Sequence, residues 1–160
     1  MRIGVKWGVG WVVLALLIYR VPVVRAETEA SASTLTPEQT VTRYLEALKA
    51  GNFAAAYDTV SKGMAHGKGR EEWVKEQQWI AQMADAKIFD FHVYPGKIEG
   101  DKARVPDLLS SQDRFLNQLG VQEYELYTLI REDGRWKIDQ QQLLEKSEQG
   151  KWFSDKAQEK

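Results

Sequence analysis

The sequence predicts an α+β fold in which amino-terminal helices pack on a curved antiparallel sheet. Two observations predict it. Apolar residues recur at helical spacing over residues 36–84, whereas over residues 86–143 they alternate with polar residues, as in half-buried strands. The chain has 160 residues, of which 43% are hydrophobic and 28% are charged. This length and composition indicate one globular domain.

The helical half begins with a clear start signal. Thr36 is the predicted N-cap, Pro37 the first helical residue and Gln39 the residue that completes a capping box. Two further helices are predicted over residues 53–60 and 70–84, separated by a glycine-containing loop over residues 63–69. Together the three helices form the layer that covers the sheet.

The second half of the chain contains four main predicted strands, over residues 86–94, 102–110, 122–132 and 135–143. Asp133-Gly134 is the strongest hairpin signal in the chain, and Gly100-Asp101 predicts another hairpin. Pro106 has no backbone N–H to donate. It therefore predicts that its strand lies at an edge, contains a bulge or ends early.

The period of two also predicts which strand residues face the helices. In the first strand it places Phe89, Phe91 and Val93 on the helix side. In the third strand it places Tyr127 and Leu129 on the outer side of the sheet. An outer side with these residues would be partly apolar and could pair with a second copy of the chain.

The first 26 residues are predicted to be a signal peptide. Arg2 and Lys6 precede an apolar run of 13 residues, 7–19, and cleavage is expected after Ala26. The alternative is a membrane anchor over residues 5–24, which reaches a spanning length only by including charged residues. On either view we expect the domain to be exported, into a periplasm or outside the cell.

The expected organisation of the rest of the chain has three parts. Residues 27–35 are predicted to be a flexible linker, residues 36–145 the folded domain and residues 146–160 a polar carboxyl-terminal tail. The tail contains the aromatic pair Trp152-Phe153. We expect this pair to dock on its own domain rather than on a partner.

Composition excludes several classes of function. The chain has no cysteine, which excludes disulfide scaffolds, thiolate metal sites and cysteine nucleophiles. It has only two histidines, so we expect no metal site, and no cofactor is expected either. Without residues 1–26 the formal net charge is −5, and no basic patch is interleaved with aromatic residues, so nucleic-acid binding is not expected.

Two segments resemble a known family. TPEQTVTRYLEALKAGNFAAAYDTVS, residues 36–61, and YELYTLIREDGRWKID, residues 124–139, are similar to the opening helices and closing hairpin of exported nuclear transport factor 2-like domains. The resemblance covers about residues 36–143 and implies the cystatin-like cone fold. It also implies a pocket between the sheet and the helices, and dimerisation through the outer sheet face in many members. Because the superfamily includes enzymes, ligand carriers and accessory domains, function must come from the site.

The sequence offers few candidates for catalysis. Asp90, His92 and Tyr94 share one face of the first strand and could act as base, acid and oxyanion donor, although the solvent or an interface is the expected surrounding. Asp107 follows the proline bend, where we expect it to be exposed; the alternative is a carboxylate turned into the interior. His66 lies in the glycine loop and is expected to be solvated, with a ligand or lid role as the alternative.

Five aromatic residues are the candidates for lining a ligand pocket, although periodicity already accounts for them and a place in the core is the first expectation: Tyr44, Tyr57, Trp73, Trp79 and Trp136. Three hypotheses of function follow. The first is an exported non-enzymatic domain that binds a small apolar ligand or a cell-envelope protein. The second is an isomerase- or dehydratase-like enzyme of the cone fold that uses Asp90 and His92, or Asp107. The third is a structural accessory domain that dimerises through its sheet.

Overall fold

The structure is a computed structural model, and it describes residues 34–153. The helices are α1 (Pro37–Lys49), α2 (Phe53–Tyr57), α3 (Arg70–Ala84) and α4 (Lys146–Trp152), and the strands are β1 (Lys87–Val93), β2 (Lys97–Glu99), β3 (Lys102–Gln112), β4 (Gln122–Glu132) and β5 (Arg135–Leu143). The predicted α+β fold class is confirmed. The predicted signal peptide, most of the predicted linker and the last seven residues of the predicted tail lie outside the described residues. Between residues 34 and 153, no helix has the length and apolar character needed to cross a membrane.

Helix α1 begins where the capping box predicts. The Thr36 hydroxyl accepts a hydrogen bond from the Gln39 N–H, and the Gln39 side chain accepts one from the Thr36 N–H. The helix then buries an apolar stripe that includes Val41, Tyr44 and Leu45. These residues form the helix side of the main core.

The sheet is antiparallel, with strand order β1-β3-β4-β5, and β2 pairs with β3 beyond the end of β1. One face of the sheet, here called the helix face, packs on α1, and residues of α2 and α3 join the same core. It carries Val105, Leu129 and Ile138, all fully buried in the main core. The opposite face is called the outer face.

The predicted orientation of β4 is wrong. Tyr127 and Leu129 lie on the helix face and are fully buried, whereas they were expected on the outer side. The outer face of β4 is apolar as well, because Leu126 packs there in a second cluster with Leu144 and Phe153. With apolar residues on both faces, the period of two could not identify the side that the helices cover.

The predicted orientation of Phe89 is also wrong. The register of β1 against β3 shifts between Ile88 and Asp90, which marks a β-bulge. The extra residue turns Phe89 outward, 51% exposed, while Ile88 packs against the main core. Phe91 and Val93 lie beyond the bulge and contact the core as predicted.

Pro106 lies inside a central strand rather than at an edge or a strand end. It pairs with Leu126 of β4, and its carbonyl accepts a hydrogen bond from the Tyr94 N–H between β1 and β2. The N and C=O of one strand residue point toward the same neighbouring strand, so the nitrogen of Pro106 faces the gap between β1 and β2 as well. The proline is tolerated because the strands opposite it are interrupted there.

The described part of the predicted polar tail is structured. Residues Lys146–Trp152 form α4, and the Phe153 ring packs edge-on against Tyr94 at 5.0 Å and Tyr124 at 4.9 Å on the outer face. The folded part of the chain therefore extends to at least Phe153. The aromatic pair docks on its own domain, as expected.

Candidate functional site

An open pocket with a volume of about 600 Å³ lies between α3, the carboxyl end of β5 and the loop before α3. Its apolar wall is formed by Tyr44, Met64, Trp73 and Ile80. The rest of the lining is mostly polar and consists of Gly63, His66, Glu76, Gln77, Asp139, Gln140, Gln141 and Gln142. The pocket thus offers both apolar surface and hydrogen-bonding groups to a bound molecule.

The structure brings only two of the five predicted pocket aromatics to this pocket, namely Tyr44 and Trp73. Tyr57 packs against Trp73 and donates its hydroxyl to the Lys68 carbonyl. Trp136 is buried beneath the Arg131 guanidinium, and Trp79 is 61% exposed on α3.

The polar residues that β5 contributes to the pocket were not among the predicted site residues. Gln140, Gln141 and Gln142 line the pocket although they end a strand whose earlier residues, Trp136 and Ile138, are buried. The sequence signal for this polar lining was the end of the apolar alternation after Ile138. His66, expected to be solvated, is exposed and also lines the pocket.

The Asp139 carboxylate is held in place by the turn after α2. Its Oδ1 accepts a hydrogen bond of 2.7 Å from the Ser61 hydroxyl, and the Met64 N–H in turn donates to the Ser61 oxygen. Gly63 is needed for this approach because a Cβ at that position would lie 2.8 Å from Asp139 Oδ1. Asp139 is therefore a fixed acceptor at the pocket wall.

Glu125 lies directly behind this polar lining. It is almost fully buried on the helix face, and its two oxygens accept hydrogen bonds from the Tyr127 hydroxyl at 2.7 Å and the Gln141 side-chain amide at 2.8 Å. Burial raises the pKa of Glu125, and these two hydrogen bonds oppose the shift. Burial and then the neighbouring Glu125 also raise the pKa of Tyr44 and of Tyr127.

Asp107 is turned into the interior, so the expectation that it is exposed is wrong. It pairs in register with Glu125 across β3 and β4 and is fully buried, and neither carboxylate oxygen has a hydrogen-bond partner. Burial and then Glu125 raise the pKa of Asp107 to about 7. The N–H groups of Leu108 and His92 oppose that shift without making regular hydrogen bonds to the carboxylate.

The other catalytic candidates lie on the far side of the sheet. Asp90 and His92 are exposed, and the His92 ring contacts the Tyr94 ring at 4.5 Å on the outer face. Neither lines the pocket, and Asp107 does not line it either. The structure therefore does not assemble Asp90, His92 and Asp107 into one site.

Comparison with solved structures identifies the fold. A domain of unknown function with a cystatin-like fold from Nostoc punctiforme superposes on 74% of this chain and 85% of its own length, with a TM-score of 0.50 and 14% sequence identity. This chain has the cystatin-like fold. The fold implied by the resemblance to nuclear transport factor 2-like domains is thus confirmed.

Two further solved structures are similar at lower scores. An NTF2-like protein of unknown function from Cytophaga hutchinsonii has 16% identity and a TM-score of 0.43, covering 71% of this chain and 92% of that one. Bd1075 of Bdellovibrio bacteriovorus has 12% identity and a TM-score of 0.47 over 65% of this chain, which spans only 38% of Bd1075. No protein-family model and no curated protein sequence matches the chain.

The lining of the pocket has the groups with which a protein can bind a small molecule. Its apolar wall can bury part of a small molecule, while Asp139 and the glutamine side chains can fix its orientation. Residues 34–153 contain no group of three or more histidine or acidic side chains placed to hold a metal ion. The nearest buried acid, Glu125, is separated from the pocket by Gln141.

Proposed function

We propose that this chain is an exported, non-enzymatic domain that binds a small organic molecule in the pocket beside α3. The pocket itself is the observation that carries the proposal. Its volume of about 600 Å³ lies within the range of small-molecule sites, and its lining combines apolar residues with a limited set of hydrogen-bonding groups. Export is supported by the charged start and apolar run at the amino terminus.

The ligand expected from this lining is amphipathic rather than wholly apolar. Met64 and Ile80 offer apolar contacts, and Asp139 and the glutamines at the end of β5 offer hydrogen-bonding groups. A wholly apolar ligand would remove these polar groups from water without replacing their hydrogen bonds, which is unfavourable. The proposal therefore modifies the apolar ligand expected from the sequence.

An enzyme is the second candidate, and one observation favours it. Asp107 is fully buried, and burial raises its pKa to about 7, where a carboxyl group can both accept and donate a proton near neutral pH. Catalysis through Asp107 would require a path from the pocket past Gln141 and Glu125. Binding needs no such rearrangement and is the better supported function.

Dimerisation through the outer sheet face has less support. Tyr127 and Leu129, the residues expected to form the contact, are buried on the helix face. Part of the outer face is already covered by Trp152 and Phe153.

A pair of substitutions on α3 tests the binding proposal. Ile80→Trp adds a bulky group at the pocket and is expected to weaken binding at least about tenfold, equivalent to about 1.4 kcal/mol of binding free energy, so that fewer chains retain a small molecule. Met83→Trp is the matched control, because Met83 is 47% exposed and Ile80 44%, but Met83 does not line the pocket. Retention is measured by native mass spectrometry. Equal retention in the two variants would place the bound molecule elsewhere.

A further inference from the structure

The polar lining of the pocket is rich in hydrogen-bond acceptors. Its lining includes two acidic residues, Glu76 and Asp139, together with His66 and four glutamines. No lysine or arginine is among its lining residues within the described part of the chain. Ionised carboxylates only accept hydrogen bonds, so a ligand group that displaces water from one of them has to donate a hydrogen bond.

The two carboxylates differ in how their charge is balanced. Glu76 forms an ion pair with the Lys68 ammonium. The Asp139 carboxylate accepts a hydrogen bond from the neutral Ser61 hydroxyl, and no ion pair to it occurs among residues 34–153. Asp139 is therefore the uncompensated charge of the pocket, held against Gly63 by the turn that precedes α3.

Gln141 connects the pocket lining with the buried carboxylate of Glu125. Its side-chain nitrogen donates to Glu125, so one of the donors of its amide is already used behind the wall. Glu125 and Asp107 lie beyond it, and both are acidic. An anionic ligand would approach the carboxylate of Asp139, which forms no ion pair with a cation among residues 34–153.

We infer that the pocket takes a non-anionic ligand that has an apolar body and a hydrogen-bond donor, an ammonium or hydroxyl group, directed at Asp139. The inference rests on the proposed binding function and names the chemical class of its ligand. The apolar body lies against Met64 and Ile80, and the donor group satisfies the fixed carboxylate. The same geometry disfavours carboxylate and phosphate ligands.

Three probes that differ only in the head group test this inference. 2-Phenylethylamine, 2-phenylethanol and 3-phenylpropanoate share a phenyl ring and a two-carbon tether, and carry a cation, a neutral donor and an anion at pH 7.5. NMR titration of the purified chain gives their dissociation constants. We expect the amine or the alcohol to bind at least about tenfold more tightly than the acid, with their relative order identifying the ammonium or the hydroxyl as the preferred donor.

The role of Asp139 is tested by its amide variant. Asp139→Asn keeps an oxygen that can accept from Ser61 and removes the charge, so the preference for amine over acid is expected to fall at least about fivefold. Asp90→Asn, an exposed site on the other side of the sheet, should leave the preference unchanged.

Several outcomes would overturn the inference. The acid binding as tightly as the best of the other probes, or an unchanged preference in Asp139→Asn, would refute the proposed ligand class while leaving the binding function intact. Failure of all three probes to bind would refute the ligand class as well. The binding function is tested separately, and it fails if the chain retains no molecule in native mass spectrometry.

Discussion

Replacing Asp107 with asparagine is expected to stabilise the domain at pH 8 by roughly 2 kcal/mol, which raises the melting temperature by about 8 °C. The reason is that Asp107 is fully buried without a hydrogen-bond partner, and Glu125 lies opposite it on the next strand. An ionised carboxylate in this position is strongly unfavourable. The amide has nearly the same shape and carries no charge.

The same residue predicts how the stability of the wild-type chain depends on pH. The pKa of Asp107 is raised from 3.8 to about 7, so between these values the folded state binds more protons than the unfolded state. Stability therefore decreases as the pH rises from about 4 to about 7 and levels off above that range, by up to about 4 kcal/mol from this group. Below pH 4 the group is protonated in both states and its destabilising effect is absent.

Urea unfolding at pH 5 and pH 8 measures both effects. In Asp107→Asn the free energy of unfolding should differ little between pH 5 and pH 8. The exposed control Asp90→Asn should show the same decrease as the wild-type chain. If Asp107→Asn showed the wild-type pH dependence, the buried carboxylate could not be its source.

Truncation of Phe153 is the second large expected effect. Phe153→Ala should destabilise the domain by about 3 kcal/mol, because the ring is only 2% exposed and fills the space between Tyr94 and Tyr124. The melting temperature is expected to fall by about 10 °C.

The control for Phe153 is Leu143→Ala, which removes a side chain that is 58% exposed at the end of β5 and should change stability by less than about 1 kcal/mol. Both are measured by thermal unfolding at pH 7. A small effect of Phe153→Ala would mean that α4 does not dock on the outer face in solution.

Much of the fold could be predicted because its signals are local. The capping box of Thr36 and Gln39 depends on residues three apart, and the Asp133-Gly134 hairpin depends on two adjacent residues. The switch from helical to alternating periodicity then places the helices before the sheet. None of these signals requires knowledge of distant contacts.

The wrong predictions all depend on distant contacts. The orientation of Tyr127 could not be predicted because Leu126 is covered by α4, which gives the strand a second apolar face. The position of Phe89 depends on a bulge against β3, and Pro106 is tolerated only because β1 and β2 are interrupted opposite it. Single-strand periodicity does not report such pairings.

The site was predicted less well than the fold for a similar reason. Tyr44 and Trp73 were found because pocket aromatics also belong to helical stripes. Asp139 and the glutamines at the end of β5 are polar residues that an exposed strand end would equally contain. Only the placement of α3 and of the Ser61–Gly63 turn beside that strand end makes them a pocket wall.

Native mass spectrometry of the purified wild-type chain tests the central claim most directly. The native mass is expected to exceed the denatured mass by that of one small molecule per chain, and Ile80→Trp should reduce this difference while Met83→Trp keeps it. Equal native and denatured masses per chain would contradict it, whether the protein is a monomer or a dimer.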